Sequence, residues 1–111
     1  MDWVRIIPLM SETVRLCSIS ELPGIDQAKE FAVGENMVCV ANVGGELSAM
    51  SNVCTHRGGT LGQGVVLDGK LVCPWHGWMF DTKTGVPDED PHKPVPVYRL
   101  RIDGEDVYLE M

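Results

Sequence analysis

Two short stretches constrain this chain more than anything else in it: Cys54-Thr55-His56-Arg57-Gly58-Gly59 and Cys73-Pro74-Trp75-His76-Gly77-Trp78. Each offers one thiol and one imidazole, donors of the soft-to-borderline kind that transition metals select. One residue separates Cys54 from His56, two separate Cys73 from His76, and sixteen residues, Arg57 to Val72, lie between the pairs. Gly and Pro crowd both stretches, which places the donors on loops rather than inside strands or helices. Donors brought from two separate loops describe a metal site that closes only when the fold closes.

The four donors can be used in more than one way. A single tetrahedral zinc would take two Cys and two His, but neighbouring zinc ligands usually leave two to four residues between them. Cys54-x-His56 leaves one, which makes joint chelation of one ion awkward. A binuclear centre relaxes this, because Cys54 and His56 need not reach the same ion. In a metal-free reading the cysteines are small buried hydrophobes and the histidines sit in turns.

The pattern Cys54-x-His56-x16-Cys73-x2-His76, followed by Gly77, resembles the Rieske [2Fe–2S] signature, in which two His replace two Cys on one iron. The resemblance runs roughly from Val14 to the end of the chain. It implies one [2Fe–2S] cluster per chain, with Cys54 and Cys73 on the inner iron and His56 and His76 on the outer one, nearer the surface. Gly58, Gly59 and Gly77 would then let backbone N–H groups approach the sulfides. Neutral imidazoles in place of thiolates raise the potential, to about −150 to +300 mV against roughly −400 mV for plant-type ferredoxins. Quinol-oxidising relatives carry an extra Cys in each loop, joined as a disulfide; the matching positions here are Gly59 and Trp75. Those relatives also place Ser and Tyr hydroxyls where this chain has Trp78 and Phe80. The resemblance therefore implies a soluble ferredoxin at the low end of the Rieske range.

Composition narrows the class. A length of 111 residues, 44% hydrophobic and 23% charged, fits one domain spanning 1–111. No apolar run approaches the ~20 residues that cross a bilayer. Met1 to Met10 carries Asp2 and Arg5 and lacks a small-residue cleavage site, unlike a secretory signal. A cytoplasmic location is the expectation, with no membrane contact. A net charge of −7 argues against a nucleic-acid partner. Cys17 and Cys39 fall in apolar runs, which predicts buried thiols rather than a bridge.

In chain order, Trp3 to Ile7 reads as a short strand ended by Pro8, so 1–12 is expected as an N-terminal extension or extra edge strand. Thr13–Ser18 reads as the first strand proper and Ser20–Gly24 as a turn. Gln27–Val33, Asn36–Val43 and Glu46–Asn52, separated by Gly-containing turns, read as an antiparallel meander leading into Cys54. In Gln27–Val33, Ala28, Glu30 and Ala32 alternate with Lys29, Phe31 and Val33, so one face is expected to be buried. Between and after the ligand loops come a turn at Thr60–Gly64, short strands at Val65–Leu67, Lys70–Cys73 and Trp78–Asp81, and a charged, Pro-rich loop to Pro96. Val97–Ile102 and Val107–Leu109 close as a hairpin. No stretch longer than a turn or two has helical periodicity. The fold class is all-β, and the resemblance implies an antiparallel β-sandwich with an inserted cluster-binding subdomain, roughly 53–96.

The functional expectation is a one-electron carrier, not an enzyme. Proteins of the type it resembles take electrons from a ferredoxin reductase and deliver them to a terminal oxygenase, often a ring-hydroxylating one. A monomer that meets both partners transiently is expected, with Trp75 and Pro94-Val95-Pro96 on the docking rim. Two other readings stay open: a small Rieske subunit of a larger reductase, such as nitrite reductase, and a redox-sensing module.

Overall fold

Two-residue glycine turns set the hairpins of the base. The computed structural model describes residues 13–54, 58–75 and 77–110. The extension expected over 1–12 and the donors His56 and His76 lie outside the described residues. Strand β3 (Asn36–Val43) pairs with β4 (Glu46–Ser51) from Val43↔Glu46 onward, so Gly44-Gly45 alone makes the turn. Their φ values of +62° and +101° suit a hairpin turn that L side chains resist. β2 (Gln27–Val33) flanks β3 in the same antiparallel way. The meander is thus as its sequence predicts, with β4 ending one residue early.

The other half of the base comes from the two ends of the described chain. β8 (Val97–Asp103) and β9 (Asp106–Glu110) form the closing hairpin, and β1 (Thr13–Ser18) pairs with β9, shifting register between Arg15 and Cys17. β4 meets β8 through Ala49↔Tyr98 and Met50↔Val97. One sheet results, in the order β1-β9-β8-β4-β3-β2. It curls so that β1 comes against β2. Val14, Leu16 and Leu109 of one half pack there on Phe31, Val38, Val40 and Ala49 of the other. That inner layer is the sandwich core.

A second sheet, β5-β6-β7, is inserted between β4 and β8: β5 is Val65–Leu67, β6 Lys70–Val72 and β7 Met79–Phe80. Leu71 and Phe80 point inward and join Leu61, Val95, Cys54 and Cys73 on Cys39 and Met50 of the base. Burying side chains of the size of Leu61, Leu71 and Phe80 is worth about 1.5–3 kcal/mol each. This second core carries the ligand loops.

Four local expectations change. Ile19–Glu21 is a single 3-10 turn that begins one residue before the turn expected at Ser20–Gly24, and Leu61–Gln63 is another inside the turn expected at Thr60–Gly64. β7 is shorter than Trp78–Asp81, because the Asp81 carboxylate accepts the Lys83 and Thr84 N–H groups and turns the chain out of the sheet. β2 does not bury one face only: Ala28 packs on the second core while Phe31 and Val33 pack on the first. Val95, expected on an exposed rim, is buried in the second core, and only Pro94 and Pro96 beside it are exposed.

Candidate metal centre

Both ligand loops are hairpin ends built on one backbone frame. Val53 bridges Thr60, and Val72 pairs with Met79; in each case the cysteine is the next residue inward. The Cys54 N–H donates to the Gly59 carbonyl at 2.8 Å, and the Gly58 N–H returns to the Cys54 carbonyl at 2.8 Å. The second loop repeats this: Cys73 N–H to the Trp78 carbonyl at 2.8 Å, and Gly77 N–H to the Cys73 carbonyl at 3.0 Å. Gly58 and Gly77 hold the same place in the frame, with φ of +75° and +76°, where a β-carbon would be strained. His56 stands two residues after its cysteine and His76 three; both histidines lie outside the described residues.

The loops meet at Gly59. A β-carbon there would fall 2.9 Å from Cys73 Sγ and 2.9 Å from Trp75 Cγ, so the second loop already fills the space a side chain would need. These are the two positions that the resemblance matches to a disulfide. In their place an indole lies against a bare α-carbon, and Trp75 stays 59% exposed. Cys54 and Cys73 are each 2% exposed, and all four cysteines are buried thiols, as expected of Cys17 and Cys39. Burial pushes the Cys39 thiol up to about 12, with Glu30 adding to the effect. Phe80 is fully buried in the same core, with Trp78 tilted against it at 6.4 Å between ring centres.

A polar clamp lies under the first loop. Asn52 is 3% exposed; its Nδ2 donates to Glu30 Oε2 at 2.7 Å, and its Oδ1 accepts the Gly62 N–H at 2.7 Å. Gln63 Nε2 reaches the other Glu30 oxygen at 3.3 Å. A β-carbon on Gly62 would meet Glu30 Cγ at 2.3 Å, so the approach requires glycine. Sequence reasoning missed this cluster. Its signal, an Asn two residues before a ligand and a Glu in an alternating strand, has meaning only once the sheet pairs.

The described half of the donor set suits a metal cluster. Two buried thiols stand on equivalent hydrogen-bonded frames, and glycine lets one loop close on the sulfur of the other. The profile of the Rieske [2Fe-2S] domain matches residues 12–99. The chain is 36% identical over 98 residues to the biphenyl dioxygenase ferredoxin subunit of Pseudomonas sp. (strain KKS102), covering 86% of this chain and 89% of that protein. It is 38% identical over 82 residues to the anthranilate 1,2-dioxygenase ferredoxin subunit of Burkholderia cepacia, covering 72% and 76%. Among solved structures, a complex of reduced oxygenase and oxidized ferredoxin in carbazole 1,9a-dioxygenase superposes with a TM-score of 0.73. Identity there is 29%, over 87% of this chain and 91% of the matched one. By its strand order, its paired cysteine loops and these matches, the chain belongs to the Rieske [2Fe-2S] domain family.

Proposed function

We propose that this protein is a one-electron carrier that takes electrons from a ferredoxin reductase and passes them to a terminal oxygenase, of the ring-hydroxylating type. One observation carries the reading: two buried cysteines on matched hairpin frames, closed by Gly59 against Cys73, at the end of a small β-sandwich. The relatives named as dioxygenase ferredoxin subunits match over most of their own length, which supports a carrier rather than a catalytic component. Cys54 and Cys73 would hold one iron and His56 and His76 the other, in one [2Fe–2S] cluster per chain. That cluster supplies reversible one-electron transfer.

The protein's own part is to seat the thiolates, exclude water from the inner side and present the outer side to partners. Exposed Val53 and Trp75 flank the loops and would form the apolar centre of a transient contact. Gly59, Trp75, Trp78 and Phe80 supply neither the second bridge nor the hydroxyls of the high-potential relatives, which supports a potential at the low end of the class. We take the carrier to be a cytoplasmic monomer. No described helix is long and apolar enough to cross a membrane.

The test joins spectroscopy to transfer. Dithionite-reduced protein should give the EPR signal of a mixed His/Cys-ligated [2Fe–2S] centre. It should also be reduced by a ferredoxin reductase and reoxidised by a ring-hydroxylating oxygenase. A zinc-loaded, EPR-silent protein, or a reduced cluster that no oxygenase reoxidises, would overturn the reading.

A further inference from the structure

The register of the inserted sheet puts an apolar row on its outside. Val65 pairs with Val72 and Val72 with Met79, and residues directly opposite one another share a face. Val66, Leu71 and Phe80, the next set, face the second core. Val65, Val72 and Met79 therefore face away from it, with Leu67 and Lys70 beyond them. Val65 is 59% and Leu67 55% exposed. At the usual strand spacing the row spans about 10 Å. Packing does not call for this pattern, since the outer face of an antiparallel sheet ordinarily carries polar residues.

The rim is acidic. Asp68 occupies the β5–β6 turn. Along the far edge of β7, the Asp88 N–H donates to the Met79 carbonyl at 2.9 Å, and the Glu89 carboxylate accepts the Met79 N–H at 3.0 Å. Lys70, the cation facing the same way, is ion-paired with Asp88. The row is also continuous with the candidate metal centre: Val72 precedes Cys73 directly, and Met79 follows Trp78.

We propose that this face is a second contact surface, reached by a redox partner whose own face has an apolar centre ringed by Lys and Arg. This rests on the carrier function proposed above and states which flank the partner covers. A second copy of the chain is the poorer occupant, because it would set acidic rim against acidic rim in a chain of net charge −7. An outward row of four apolar side chains that begins next to Cys73 and runs to Leu67 suits the small interfaces of transient electron transfer.

The probe is cytochrome c, a redox protein with an apolar haem edge inside a ring of lysines. Its reduction by the pre-reduced, cluster-loaded protein is followed in stopped flow at low ionic strength. The Val65→Ser/Leu67→Ser double variant, with unchanged cluster absorption, should cut the second-order rate constant about fivefold or more, the loss typical of contacts that matter. Ile102→Ser, at an exposed apolar position on β8, should leave it unchanged. If the cluster-loaded wild type is reoxidised by an oxygenase but fails to reduce cytochrome c, the contact surface is overturned while the carrier reading stands; if no oxygenase reoxidises it either, the carrier reading fails. If the wild type reacts and the double variant matches it, or Ile102→Ser slows it equally, the contact surface is overturned. A wild-type dimer in sedimentation that Val65→Ser/Leu67→Ser dissociates would overturn it in favour of self-association.

Discussion

Asn52→Ala should destabilise this protein more than most single changes outside the cysteines. The side chain is 3% exposed and makes two bonds of 2.7 Å, one to the Glu30 carboxylate and one from the Gly62 N–H. A hydrogen bond to a charged group contributes about 1.5–3 kcal/mol, and a buried amide left unpaired costs about 1–3 kcal/mol. Glu30 is half-buried and keeps its contact with Gln63, so the lower end of each range applies. The sum is about 2.5 kcal/mol, which for a domain of this size lowers Tm by about 10 °C or more. Glu30→Gln retains an acceptor for Asn52 Nδ2 and should cost only about 1 kcal/mol. Cluster-loaded variants would be compared calorimetrically at one scan rate, with the bleaching rate under a chelator measured in parallel. Because the Asn52 side chain anchors the Gly62 N–H beneath the first loop, Asn52→Ala should speed bleaching as well as lower Tm. A Tm within a few degrees of wild type, or Glu30→Gln as damaging as Asn52→Ala, would refute the clamp.

Other outcomes follow from the same geometry. Cys73→Ser should abolish the visible absorption of the purified protein, and full iron occupancy in that variant would show the ligand to be misassigned. Gly59→Ala places a methyl 2.9 Å from Cys73 Sγ and should cost about 1–3 kcal/mol, the usual cost of overpacking, with faster bleaching under chelator; unchanged bleaching would mean that the loops do not close as described. The Asp81 carboxyl is held below its usual value chiefly by the Lys83 N–H, with the Thr84 N–H also helping and partial burial opposing. Its stabilisation is therefore present above the unfolded-state value and lost as pH falls below about 4. Asp81→Asn should flatten that part of the acid limb in a pH series of Tm, whereas an unaltered limb would assign the loss to other carboxylates.

Much of the fold could be read locally. Runs of Val, Ile, Tyr and Phe punctuated by Gly and Asp delimit strands through short-range preferences, and the bounds of β2 and β3 coincide with the spans expected from sequence. The family was equally legible, because four donors at fixed spacing with Gly after the last His form a local pattern. What the residues could not say was how the strands close. The pairing of β1 with β9 joins residues about ninety positions apart, and burial of Val14 and Leu16 against the far half of the sheet selects it.

The same limit applies at the site. Cys54 and Cys73 were identifiable from spacing, but the equivalence of their backbone frames depends on which residues bridge, Val53 with Thr60 and Val72 with Met79. Glu30 and Asn52 are 22 residues apart, and they became partners because β3 lies between β2, which carries Glu30, and β4, which Asn52 directly follows. Val95, between two prolines, looks exposed in sequence, yet its N–H bonds the Gly85 carbonyl and carries the side chain into the second core. Sequence by itself determined most strand bounds and the family, both of which rest on local patterns. Tertiary structure alone decided the clamp under the first loop, the packing of the Trp75 indole against Gly59 and the outward apolar row, because each depends on a register that long-range packing selects.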